Sequence, residues 1–95
     1  MSFLDLFRRK QEDESSRIER LSKTGRITDG VVIDVKLDER GSITHVFYTY
    51  NIAGVEYESS QELSAAQRTH ESGYALDTAI TVRYDPRQPG NSIVV

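Results

Sequence analysis

The chain has 95 residues, no cysteine, no tryptophan, 37% hydrophobic residues and a formal charge of -3, which bounds it to one small domain because chains of this size rarely hold two cores. The lack of cysteine excludes a disulfide framework and every thiolate zinc site. The longest apolar runs, Val31-Val32-Ile33 and Ile93-Val94-Val95, fall far short of the roughly 18 residues that suggest a membrane span, and Asp5 interrupts the apolar Phe3, Leu4, Leu6 and Phe7 where a secretory leader would be continuous, so a cytoplasmic location is expected.

The first segment, residues 1–25, reads as a helical N-terminal arm, with six basic and five acidic side chains for a charge of +1. Ser2 stands three residues before Asp5 and Ser16 three before Glu19, the spacing of reciprocal caps. The stripe of Leu4, Phe7, Ile18 and Leu21 is broken by Gln11 and Glu14, so two short helices hinged near Asp13 to Ser16 are expected rather than a coiled coil. Gly25 reads as a left-handed helix stop.

Residues 26–95 carry six basic and ten acidic groups, a charge of -4, and their period changes to two. Val31, Ile33, Val35 and Leu37 alternate with Asp34 and Lys36, which predicts a first strand burying that apolar set. Gly30, inside it, predicts a bend or bulge. After a turn at Asp38-Glu39-Arg40-Gly41, a second strand places Val46, Tyr48, Tyr50 and Ile52 against His45, Phe47, Thr49 and Asn51. A two-residue turn at Ala53-Gly54 then sets Ile52 opposite Val55, Tyr50 opposite Tyr57, Asn51 opposite Glu56 and Thr49 opposite Glu58. A short helix is expected over Glu62 to His70 with Gly73 as its stop. A fourth strand buries Ile80, Val82 and Tyr84; turns at Asp85-Pro86 and Pro89-Gly90 precede the last strand, Ser92 to Val95. The order β-β-β-α-β-β with a long first strand predicts a mainly β fold, a small five-stranded OB-like barrel behind the helical arm. An open five-stranded sheet with the helix on one face is the second expectation.

The string Leu21…Gly25…Gly30-Val31-Val32, then Val46-x-Tyr48-x-Tyr50-x-Ile52-x-Gly54-x-x-Tyr57, and above all Val82-x-Tyr84-Asp85-Pro86-x-x-Pro89, resembles the bacterial domain of unknown function 3592 over about residues 20–95. The resemblance implies a small β-barrel-like domain with no established activity. Relatives often carry transmembrane helices beside it, and this chain has a charged arm there instead.

No residues are expected to be catalytic, cofactor-binding or metal-ligating. His45 and His70 lack ligand spacing, and Asp85 before Pro86 reads as a turn residue. No Gly-rich phosphate loop, carboxylate pair or nucleophile elbow occurs. Nucleic acid is disfavoured because a -4 domain repels phosphate, with Arg40, Arg83 and Arg87 the only plausible contacts. The expected role is therefore a non-enzymatic interaction domain without a cofactor. Phe3, Leu4 and Phe7 dock a protein partner or a second copy, and His45, Phe47 and Thr49 form a secondary surface. Apolar Phe3 to Phe7 followed by Arg8-Arg9-Lys10 is also the order of a helix that lies on an anionic membrane surface, so residues 3–10 carry the alternative of contact with the inner membrane.

Overall fold

A computed structural model describes residues 13–95. Helix α1 runs Glu14–Thr24 and starts from Asp13, whose carboxylate accepts the Ser16 backbone N–H at 2.7 Å. The expected Ser16 cap is thus corrected: Ser16 already lies inside the helix, and Glu19 pairs with Lys23 at 3.0 Å instead. The other half of the hinged pair lies outside the described residues. Gly25 is extended (φ -67°, ψ 147°) and not left-handed. It is needed for room, because a Cβ there would stand 2.6 Å from the Leu21 carbonyl oxygen and 3.1 Å from Arg83 Cβ.

Five strands follow: β1 Arg26–Leu37, β2 Ile43–Ile52, β3 Val55–Glu62, β4 Ala79–Asp85 and β5 Gln88–Val94. They form one antiparallel sheet in the order β3-β2-β1-β4-β5, which curls until β3 meets β5 and the barrel nearly closes. The long β1 serves both halves, pairing with β4 over Arg26–Val31 and with β2 over Gly30–Leu37. Gly30 belongs to both ladders, opposite Tyr50 and Ile80. It is not itself the bulge: the register shift falls between Val32 and Asp34, leaving Ile33 as the extra residue.

That bulge overturns the expected phase of β1. Val32 is fully buried, whereas Val31 is 37%, Ile33 42% and Leu37 53% exposed; of the expected set only Val35 packs against the core. One unpaired residue resets the two-residue alternation, so Val32 before it and Val35 after it both point inward while Ile33 and Asp34 do not.

Strands β2 and β3 follow the expected phase and register, with all four predicted cross-strand pairs in place. Ala53 (φ 52°) and Gly54 (φ 84°) form a turn with two left-handed residues. Alanine is strained there, and Asn tolerates the conformation. Ala53→Asn is expected to raise stability by about 0.5–1 kcal/mol, read as a higher denaturant midpoint; an unchanged or lower midpoint would show that the turn carries no such strain.

The segment expected as one helix divides. Glu62 ends β3, Ser64 caps a short α2 (Ala65–Arg68) through a reciprocal box with Gln67, and a 3-10 turn covers Glu71–Tyr74. Gly73 lies inside that turn and stops nothing. Pro89-Gly90 is likewise not a turn between strands. It belongs to β5, where Asp85 pairs with Gln88 but Tyr84 pairs with Ser92, so Pro89-Gly90-Asn91 forms a bulge between the two pairs. A bulge tolerates Pro89 because no ladder N–H is required of it.

The interior is Val32, Ile43, Val46, Tyr48, Tyr50, Leu63, Ile80, Val82 and Val94. Tyr50 stacks on Tyr48, Tyr57 and Tyr84 with ring centroids 5.9, 5.6 and 6.5 Å away. The Tyr48 hydroxyl shares a 2.8 Å hydrogen bond with Ser92 Oγ, and that of Tyr50 donates to the Pro89 carbonyl. Burial pushes the pKa of both hydroxyls up, so the pair stays neutral through the physiological range.

The β3–β5 seam is closed by side chains. The Gln61 amide accepts from Val94 N at 2.8 Å and donates to Val94 O at 3.2 Å, the two bonds a neighbouring strand would make, and Gln67 Nε2 adds a third to that oxygen at 2.8 Å. Arg17 donates to the Ser92 carbonyl on the same edge of β5 at 2.9 Å.

Candidate interaction surface

The outer face of the sheet has a covered half and an open half. Ser92 and Val94 belong to the interior, so Ile93 between them points outward, yet it is 1% exposed because α1 lies across β4 and β5. The helix is held there by the buried Leu21, by Arg17 to Asn91 Oδ1 at 2.9 Å, by Arg20 to Asp85 at 3.3 Å, and by Arg83 donating to the Gly25 carbonyl at 3.1 Å. Asp13 and Asp85 fall below the ordinary carboxylate pKa, chiefly because backbone N–H groups of Ser16 and Arg87, respectively, donate to them. Depressed folded values mean stability that is present above the unfolded pKa and lost as pH falls through the folded one. The melting temperature is therefore expected to drop below about pH 4, and to drop less steeply in Asp85→Asn; parallel slopes would remove Asp85 as a cause.

Among the described residues no helix covers the outer face of β1, β2 and β3. Their outward residues are Val31 opposite Thr49, Asp34 opposite Phe47, and Lys36 opposite His45, with Glu58, Ser60 and Glu62 of β3 opposite Thr49, Phe47 and His45. Phe47, 39% exposed, shares a shallow depression with Ile33, Asp34, Glu58, Ser59 and Ser60. Val31, Ile33 and Phe47 thus make an apolar strip bordered by carboxylates of Asp34, Glu56, Glu58 and Glu62.

Of the residues expected from sequence to bind a partner, His45, Phe47 and Thr49 stand together on this face. Phe3, Leu4 and Phe7 lie outside the described residues. Val31 and Ile33 complete the strip and were assigned to the interior by the uninterrupted alternation; nothing in the sequence marks Ile33 as the bulge. Gln61, which closes the seam, also carries no sequence signal, since it sits at the junction of a strand and a helix-like run.

The other candidates are dispersed. His45 contacts Thr44 Oγ1 through Nδ1 at 2.9 Å, and His70 precedes the 3-10 turn. Among the described residues no group of three His, Cys, Asp or Glu side chains is placed to hold a metal ion. Asp85 accepts from the Arg87 backbone N–H at 2.8 Å, the turn role expected of it. Arg40 lies in the turn after β1, while Arg83 and Arg87 lie beside its first residues, so the three do not line one groove. No helix among the described residues is long and apolar enough to cross a membrane.

Comparison with known proteins adds one match: the family described as a domain of unknown function (DUF3592) covers residues 23–95. No curated protein and no solved structure matches the chain.

Proposed function

The chain belongs to the DUF3592 family, whose domain has no assigned function, and from its surface we propose that it is a non-enzymatic protein-interaction domain. It docks a partner on the open outer face of β1, β2 and β3. The observation that carries this reading is the asymmetry of the sheet. α1 lies over part of its β4–β5 half and buries Ile93, while on the other half Val31, Ile33 and Phe47 stay more than a third exposed side by side.

The acidic border selects for a partner that brings an apolar anchor and basic flanks, and it repels phosphate. The barrel interior is filled by the tyrosine stack and its aliphatic neighbours, which supports a scaffold over an enclosed reaction chamber. The strand order, the near contact of β3 with β5 and the helix between β3 and β4 favour an OB-like topology. The Phe3, Leu4 and Phe7 segment supplies a second apolar element of the same module.

The test is capture of partners from the native cell, identification of the dominant one, and calorimetry with the purified pair. Ile33→Thr combined with Phe47→Thr is expected to melt within a few degrees of the parent, because both side chains are more than a third exposed and threonine suits a strand without adding charge to the acidic border, and to lose binding. Unchanged affinity in the double variant would overturn this surface.

A further inference from the structure

We infer that the partner of the open face presents an arginine, whose side chain lies over Phe47 between Asp34 and Glu58. This rests on the reading of that face as a docking surface and names the side chain it recognises. Phe47, 39% exposed, stands on the middle strand of the face, with Asp34 opposite it on β1, Ser60 opposite it on β3 and Glu58 one outward position further along β3. Ile33 and Ser59 complete the shallow depression that these residues share. A carboxylate thus flanks the ring from each neighbouring strand, across two strand spacings or about 10 Å of backbone separation.

Both carboxylates are available to a partner. Asp34 Oδ1 accepts the Val35 backbone N–H at 2.8 Å, which leaves Oδ2 for a ligand. Among the described residues no ion pair involves Asp34 or Glu58, and Lys36, two residues along β1, pairs with neither. An apolar side chain seated on Phe47 would take water from these carboxylates without replacing its hydrogen bonds, and an anionic one would be repelled. Arginine answers both the ring and the charges. Its methylene stem packs on Ile33 and Phe47, while its guanidinium is attracted to the ring and directs a planar fork of donors to carboxylates on two sides. A lysine ammonium is a compact point charge without that fork, so it engages one side at a time.

The probe is the peptide acetyl-Gly-Leu-Arg-Leu-Gly-amide, titrated into the full-length 15N-labelled protein at neutral pH and physiological ionic strength. Two further peptides carry lysine or citrulline, the neutral isostere of arginine, in the central position. The arginine peptide is expected to shift the amide signals of Asp34, Phe47, Glu58 and Ser60. Binding is expected to be about tenfold weaker with citrulline and about threefold weaker with lysine. Glu58→Gln removes a charge and Phe47→Leu removes the ring; each is expected to weaken the arginine peptide about threefold and to leave the rest of the spectrum that of the folded parent. No shifts on this face, equal affinity for the citrulline or the lysine peptide, or unchanged affinity in both variants would each overturn the assignment. The docking face itself is read separately. A native partner lost in Ile33→Thr with Phe47→Thr, beside a silent arginine titration, would keep the face and reject the arginine.

Discussion

Gly30→Ala is expected to destabilise the domain by about 2–3 kcal/mol, a fall of about 10–20 °C in melting temperature for a chain of this size. A Cβ on Gly30 would lie 2.8 Å from the Thr49 carbonyl oxygen and 2.8 Å from Val82 Cγ2, with Ile80 Cγ1 behind at 3.5 Å. None of these can retreat cheaply. The Thr49 carbonyl belongs to β2, and Val82 is fully buried in the interior. The methyl group also arrives where β1 is paired on both sides, so a backbone shift that relieves one ladder strains the other. Gly90→Ala is the control: its added Cβ meets only Tyr57 Cδ1 at an ordinary 3.7 Å, and it should leave the midpoint nearly unchanged. Equal midpoints for the two variants would show that the close approach at Gly30 is not tight in solution.

Gln61→Leu is expected to cost about 2–3 kcal/mol even though the replacement is apolar and similar in size, because it strips a buried backbone N–H of its acceptor. Val94 N bonds to Gln61 Oε1, whereas Val94 O keeps Gln67 Nε2 after the change. The loss is therefore one-sided, falling on the donor. Hydrogen exchange should report it locally, with the Val94 amide exchanging much faster than the parent's. Gln67→Leu provides the contrast. It breaks the α2 capping box and one bond to Val94 O, but leaves Val94 N paired, so a cost of about 1 kcal/mol with a protected Val94 amide is expected. Identical exchange in both variants would mean that the seam is held by the packing of Leu63 and Val94, with the amide clasp contributing nothing.

The clasp also bears on the proposal that this domain docks a partner on a face and not at an edge. An open β5 edge is a template for a further strand. Here Val94 N and O are saturated by Gln61 and Gln67, and Ser92 O by Arg17. A partner adding a strand at these residues would have to replace bonds already made, which supports the proposed recognition through side chains on the β1–β2–β3 face.

Sequence by itself determined the elements that depend on local chemistry. The β2–β3 hairpin was legible because a two-residue turn fixes register, and an unbroken alternation then sorts Tyr48 and Tyr50 from Phe47 and Thr49. The inward set of β4, the Asp38–Gly41 turn and the role of Asp85 followed from equally short-range rules. The phase of β1 did not. Ile33 is apolar and β-branched like its neighbours, so nothing local distinguishes a bulged residue from a paired one, and only the positions of Tyr48 and Phe47 across the ladder decide it. The same holds for Gly30, whose glycine answers two neighbouring strands, and for Gln61, whose amide completes a seam between chain segments about thirty residues apart. Tertiary structure also decided that α1 packs on β4 and β5 and not on β1 to β3. That choice follows from where Leu21, Arg17 and Arg20 find a buried site, an edge carbonyl and a carboxylate, none of which exists until the sheet has curled.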